Sequence, residues 1–442
     1  MNRPAVTHSR TWEFPVPHVT RLGNGLDVWY FPMPGQHISS FDLVLPASLA
    51  DEPTTAEGVG AVALNSSDEG TLAHPDGAVG ELLEARGATL HGAAHYHYTT
   101  FGGVAPSTRL GGVLPLFLEV LREPEYAEAD VAHHVEGLTA AFDSKVATPE
   151  AANRMALRAA LFGGDHREGR PATGTPSTLL TITPADVRAW HRAHYGPAGA
   201  TLLIAGATAP DAWFPLLEAW SGQAGPAPRP TPAPTLPPSV VVVDQPGAVQ
   251  ATISLATRTP TRDDPRWPQL RVAGHAVAGA FASRLNLELR ERLGYSYGIG
   301  GGFSPGVAEG MLLVGGSVRT EVAGDSVARL LDGLALVAAL TDEEVADARN
   351  YLISVAPLAN ETSSDIVAQA SALAAAGLAP GYLHAHFAQL ARVTPGEATA
   401  AWRDVVTPDQ VTIAVNGDAD SLLPALARLG LAPQVVDLRS WS

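Results

Sequence analysis

The constraint that most narrows the possible folds is that this chain is written twice. TPADVRAWHRAHYGPAGATLLIAG begins at Thr183, and TPGEATAAWRDVVTPDQVTIAVNG begins at Thr394. Pro184 and Pro395, and again Pro197 and Pro408, stand at one offset of 211 residues. Each copy opens with Thr-Pro and an acidic residue, a helix start that fixes φ and caps the free N–H groups. A Trp-bearing amphipathic helix, a proline-marked turn and an apolar strand follow, Thr201 to Ala205 and Val411 to Val415. Both halves also open alike, with strands at Leu26 to Phe31 and Val240 to Asp244, then at Ser40 to Leu45 and Thr252 to Leu255. Matching order, spacing and element type read as an internal duplication. Between the copies, Gln223 to Pro238 holds seven prolines. Such a stretch cannot be helix or central strand and prefers an extended path. The reading divides the chain at 1–222, a linker at 223–238, and 239–442.

Long patterns with apolar residues at three-four spacing lie between the strands, at Gly111 to Arg122, Ala127 to Val146 and Ala323 to Leu340. Strands followed by helices predict an α+β fold of two homologous lobes, each a mostly antiparallel sheet with helices packed on one face. A chain of 442 residues exceeds what a single core supports. It has no cysteine, which removes disulfides, thiolate metal sites and a cysteine nucleophile together. The formal net charge of -17 disfavours nucleic acid and anionic membranes as partners. No run of eighteen apolar residues occurs, so no membrane span is expected. Met1 to Pro15 lacks the apolar core of a signal peptide, so a soluble, cytoplasmic protein is expected.

From Ser283 the sequence reads SRLNLELRERLGYSYGIGGGF. It resembles the C-terminal-lobe signature of the pitrilysin/insulinase metallopeptidases, in which an arginine and a tyrosine seven residues later sit together, here Arg290 and Tyr297. RLGNGLDVWYFP resembles that family's opening strands, and VVVVDQPGAVQATISL the start of its second lobe. The resemblance runs from about Val19 to Asp420. Active members carry H-x-x-E-H on the first long helix, two histidines for zinc and a glutamate that activates water. The equivalent segment here is GVGAVALNSSDEGT, framed by Gly58, Gly70 and Thr71. Ala61 and Asn65 then stand at the two histidine positions, Leu64 at the base, and Ala141 where a later helix supplies a glutamate. A methyl, an isobutyl and a carboxamide can neither hold zinc nor lower the pKa of a bound water. No cofactor is expected in this chain.

The resemblance gives Arg290 and Tyr297 a role as donors to the oxyanion of a tetrahedral intermediate. An ordinary helix ion pair and a strand-end tyrosine are the alternative. It also marks Leu90, His91, Gly92, Ala93 and Ala94 as a strand that pairs with an extended peptide, against an ordinary edge strand with small residues. His91, His95 and His97 alternate with period two, so all three project from one face of a strand, an arrangement that could bind a metal. Half-exposed wall residues are the plainer reading. His133 and His134 are adjacent on a helix and diverge. Gly298 to Gly302 lacks the context of a nucleotide-binding loop, and Ser66 and Ser67 lack a nucleophile elbow.

Together these readings imply a zinc-less, non-catalytic subunit of a bacterial two-chain peptidase, similar to the alpha-type subunit of mitochondrial processing peptidase. The zinc would sit in a partner of the same family, and the two chains would close as a clamshell around an unfolded or short peptide. A scaffold or peptide-binding protein with no part in proteolysis is the alternative from another class. An independent metal enzyme built on the three histidines is a third.

Overall fold

The computed structural model describes residues 12–222 and 230–441. Residues 223–229 of the proline-rich segment, the first eleven residues and Ser442 lie outside them. Two six-stranded sheets organise the chain. The first contains β1 (His18–Arg21), β2 (Asp27–Pro32), β3 (Ile38–Leu45), β4 (Thr89–Ala94), β5 (Thr99–Pro106) and β6 (Thr201–Gly206), in the spatial order β1-β2-β6-β3-β5-β4. The second contains β7 (Val240–Asp244), β8 (Gln250–Thr259), β9 (Gly300–Ser304), β10 (Gly310–Arg319), β11 (Thr412–Gly417) and β12 (Pro433–Val436), in the order β12-β7-β11-β8-β10-β9.

Five strands match between the sheets in order and sense. β2 runs parallel to β6 as β7 does to β11, and the remaining neighbours within these two sets of five are antiparallel. The duplicated sequence is therefore a duplicated sheet. The outermost strands differ: β1 joins antiparallel and β12 parallel.

One face of each sheet carries helices from its own half. The helices used below are α1 (Val59–Asn65), α2 (Leu110–Arg122), α3 (Glu128–Ala147), α4 (Pro149–Phe162), α5 (Pro184–His194), α6 (Trp267–Gly274), α7 (Ala323–Leu334), α8 (Ser363–Ala375), α9 (Tyr382–Leu390) and α10 (Pro395–Val405). The Thr-Pro signals form capping boxes: Thr183 with Asp186 starts α5, and Thr394 with Glu397 starts α10. The pattern expected to run to Leu340 ends at Leu334, and Leu336 takes a φ of 44°.

The opposite face of each sheet is covered by the other half. Helix α4, from the first half, packs on β7, β8 and β11 through Ala152, Ala156, Leu157 and Leu161. Helix α8, from the second half, packs on β3 and β6 through Ile366, Val367, Ala370 and Leu373. This reciprocal exchange explains Val240–Val243, which shows no polar alternation. Val242 faces one core while Val241 and Val243 face the other, so every position is apolar. Polar anchors pin the exchange. Asn153 Nδ2 donates to Thr252 O at 2.9 Å, and Ser371 Oγ to Asp42 Oδ2 at 2.6 Å. Among the described residues no helix is long and apolar enough to cross a membrane.

Candidate functional site

Helix α1 begins at Gly58, whose φ of 101° no branched side chain adopts easily. A Cβ there would also stand 2.7 Å from Thr173 O. The frame glycine is thus required by the turn into the helix. Glu52 secures the same end, accepting from Gly58 N at 3.1 Å and Gly60 N at 2.9 Å through Oε1. Its Oε2 accepts from Arg167 Nη2 at 2.7 Å and Nε at 2.9 Å. Arg170 pairs with Glu57 beside it. Burial raises the Glu52 carboxyl above the usual range, against the pull of Arg167 and the two backbone N–H groups. This network was not read from the sequence. Its only linear trace is a pair of carboxylates just before the helix.

Ala61 and Leu64 are buried in the core of the first half, whereas Asn65 is exposed. Leu64 lies against β4, close enough that a Cβ on Gly92 would meet its Cδ1 at 2.9 Å. Ala141 lies half-buried on α3, and the two helices touch. The residues therefore do not fit a zinc ion. Among the described residues no three His, Asp or Glu are gathered where they could hold a metal.

Strand β4 carries Leu90 to Ala94 as expected and ends the first sheet, bonded on one side to β5. Among the described residues its other edge has no strand partner. The three-histidine face does not form. The strand ends at Ala94, and His95 N donates to Tyr98 O at 2.8 Å, closing a four-residue turn into β5. The period-two reading needed a strand through His97, and the turn breaks it. His95 stacks on Tyr98 with centroids 4.4 Å apart. His97 Nε2 lies 3.0 Å from Glu168 Oε1, with Arg158 on the other oxygen. Burial would raise the Glu168 carboxyl, but His97 and Arg158 together hold it below its ordinary value. Burial also pushes His91 and His95 below the usual imidazole range, so both are disposed to stay neutral. His134 Nε2 sits 2.8 Å from Glu69 Oε1.

Arg290 and Tyr297 flank the approach to β9, the last strand of the second sheet. Arg290 stands on a π-helical turn, Leu287–Arg292, a form that recurs at functional sites. Its guanidinium lies over Phe281, 4.1 Å from the ring centroid, and 3.4 Å from Glu291. One buried nitrogen, Nη1, has no hydrogen-bond partner. Tyr297 is 98% exposed. Asn286 shapes the segment between them, its Oδ1 accepting from Ile299 N at 2.9 Å. A half-buried arginine and a solvent-facing phenol, beside a sheet edge, can donate hydrogen bonds to something brought in from outside.

Residues 181–352 match the family profile described as "Peptidase M16 inactive domain". A Mycobacterium bovis protein named "uncharacterized zinc protease" is 26% identical over 291 residues, 64% of this chain and 66% of that protein. A Streptomyces coelicolor protein of the same description is 27% identical over 255 residues, 55% of each. The match thus spans just under two thirds of the mycobacterial relative. Among solved structures, an M16 inactive domain from Pseudomonas fluorescens superposes with a TM-score of 0.84 at 22% identity, covering 91% of this chain and 98% of that one. A chain of Complex III2 from Candida albicans gives 0.78 at 15% identity, covering 94% and 100%.

Proposed function

We propose that this chain, a non-catalytic member of the M16 peptidase family, is one half of a two-chain peptidase whose zinc and general base reside in a partner of the same family. The observation that carries the reading is a division of labour. The helix that should hold zinc offers Ala61, Leu64 and Asn65, while Tyr297 is fully exposed and the half-buried Arg290, beside Glu291, keeps an Nη1 without a hydrogen bond. In the closed complex Arg290 and Tyr297 would donate to the oxyanion that forms as water adds to the peptide carbonyl. A well-placed donor of this kind is worth about 10²–10³ in rate. The free edge of β4 would take the substrate backbone, which favours extended, unfolded segments. Residues 1–222 and 239–442 are taken as the two lobes that line one side of the chamber.

The test is co-expression with an H-x-x-E-H relative from the same source. The chain by itself should hydrolyse no peptide, and the mixture should. In that complex Arg290→Ala and Tyr297→Phe should each lower kcat by about tenfold or more while the two chains still co-elute. Full activity of both variants would remove the role given to the pair. A second reading, a scaffold without a part in proteolysis, is favoured by the likeness to a Complex III2 chain. It requires that no zinc-bearing relative be activated by this chain.

A further inference from the structure

A cavity of about 130 Å³ lies where α6, α8 and α9 meet. Arg262, Arg271, Gln369, Tyr382 and His386 are among the residues lining it, and none of its lining belongs to β4 or to the Arg290–Tyr297 segment. Burial holds both guanidiniums below the usual arginine range, and Arg262 presses Arg271 further down. Among the described residues neither guanidinium has a hydrogen bond or a carboxylate partner. His386 is 7% exposed, and its Nδ1 has no partner. Its ring stacks on Tyr382 at 5.6 Å. Burial first, and then Arg271 and Arg262, push it down to about 4. His275 is also held low, by burial and Arg271.

The surrounding carboxylates are engaged elsewhere. Glu168 is taken by His97 and Arg158, Glu309 by Arg258, and Asp42 by Ser371. Asp263 is exposed, bonds Thr261, and acts on Tyr382. Tyr98 and Tyr382 are the anionic-capable groups that act on Arg262, and burial raises both phenols, so they stay neutral. A chain with 45 carboxylates has left two half-buried arginines and an unbonded histidine facing one small cavity. Buried charge without a counter-charge is strongly disfavoured. Water filling the space satisfies N–H groups but not the net charge.

We propose that this cavity binds a compact oxyanion, held by the guanidiniums of Arg262 and Arg271 with His386 as a further donor. Arginine's fork suits two oxygens of one phosphate, sulfate or carboxylate. The volume suits one such group with a water rather than a nucleotide. Free inorganic phosphate and the carboxylate end of a peptide share this chemistry.

The test uses the full chain at constant ionic strength, exchanging chloride for phosphate or acetate. The unfolding midpoint should rise with phosphate concentration, because the ligand binds the folded state. The His386 titration, followed by NMR of labelled histidine, should move upward when phosphate binds. Arg271→Gln should weaken phosphate binding about tenfold or more. In chloride alone it should unfold at a higher temperature than the parent, since a buried like-charge contact has gone. Arg262→Gln gives the same readout should that variant fail to fold. Response to acetate but not phosphate keeps the oxyanion site and assigns it to carboxylate ends. No rise with either anion, an equal response of parent and variant to the anion that does raise the midpoint, or a His386 titration unmoved by that anion, overturns the proposal.

Discussion

Burial moves the carboxyl of Asp42 up to about 6, against the hydrogen bonds from Ser371 and Leu43. The folded state therefore holds a proton that the unfolded chain releases near 3.8. In that window stability falls as pH rises, by about 3 kcal/mol in all at 1.36 kcal/mol per unit. Asp42→Asn should remove the slope and stabilise the protein by about 2–3 kcal/mol at pH 8 but not below pH 4, as read by urea unfolding. His191 acts the other way. Burial, opposed by its bond to Leu121 O at 3.0 Å, lowers it to about 4. Its neutral form stabilises fully above the unfolded value of 6.5, and that contribution is lost as pH falls towards 4. His191→Gln should flatten the acid limb between about pH 6.5 and 4, which unfolding at stepped pH would show. Neither residue was legible beforehand. Asp42 reads as the polar position of an alternating strand, and only α8, arriving from the other half, makes that face an interior.

At the scale of single elements, α1 has become part of the core. Leu64 packs under β4. Leu64→Glu should cost about 3 kcal/mol or more, because a carboxylate would be buried without a partner; chemical denaturation measures this. A substitution that left stability unchanged would mean the helix opens to solvent there. The cap of α10 is a milder case. Thr394 accepts from Glu397 N and donates to its carboxylate, so Thr394→Ala should cost about 1 kcal/mol. Helix starts were legible because capping chemistry is local. The extended reading through His97 failed for the opposite reason. Whether a strand continues or turns is decided by what it pairs with, and alternation alone does not carry that information.

Across the whole molecule, the exchange of α4 and α8 ties the halves into one folding unit. Each sheet needs a helix from the other half to cover its second face. Residues 1–222 expressed alone should therefore expose Trp29, Phe31, Val44 and Leu203, which α8 and its neighbours cover. That fragment is expected to bind a hydrophobic dye and to lack a sharp thermal transition, whereas the full chain should unfold in one step. A cooperatively folded fragment would show the exchange to be dispensable.

The sequence by itself determined the duplication, the α+β class and the matching of opening and closing strands between the halves. Those are properties of residue type and spacing, and they survive without knowledge of contacts. Tertiary structure alone decided which helices cross over, that the histidines part company at a turn, and that two arginines share a cavity with no counter-charge among the described residues. These follow from elements distant in the chain meeting face to face, where burial changes what a carboxylate, an imidazole or a guanidinium can do.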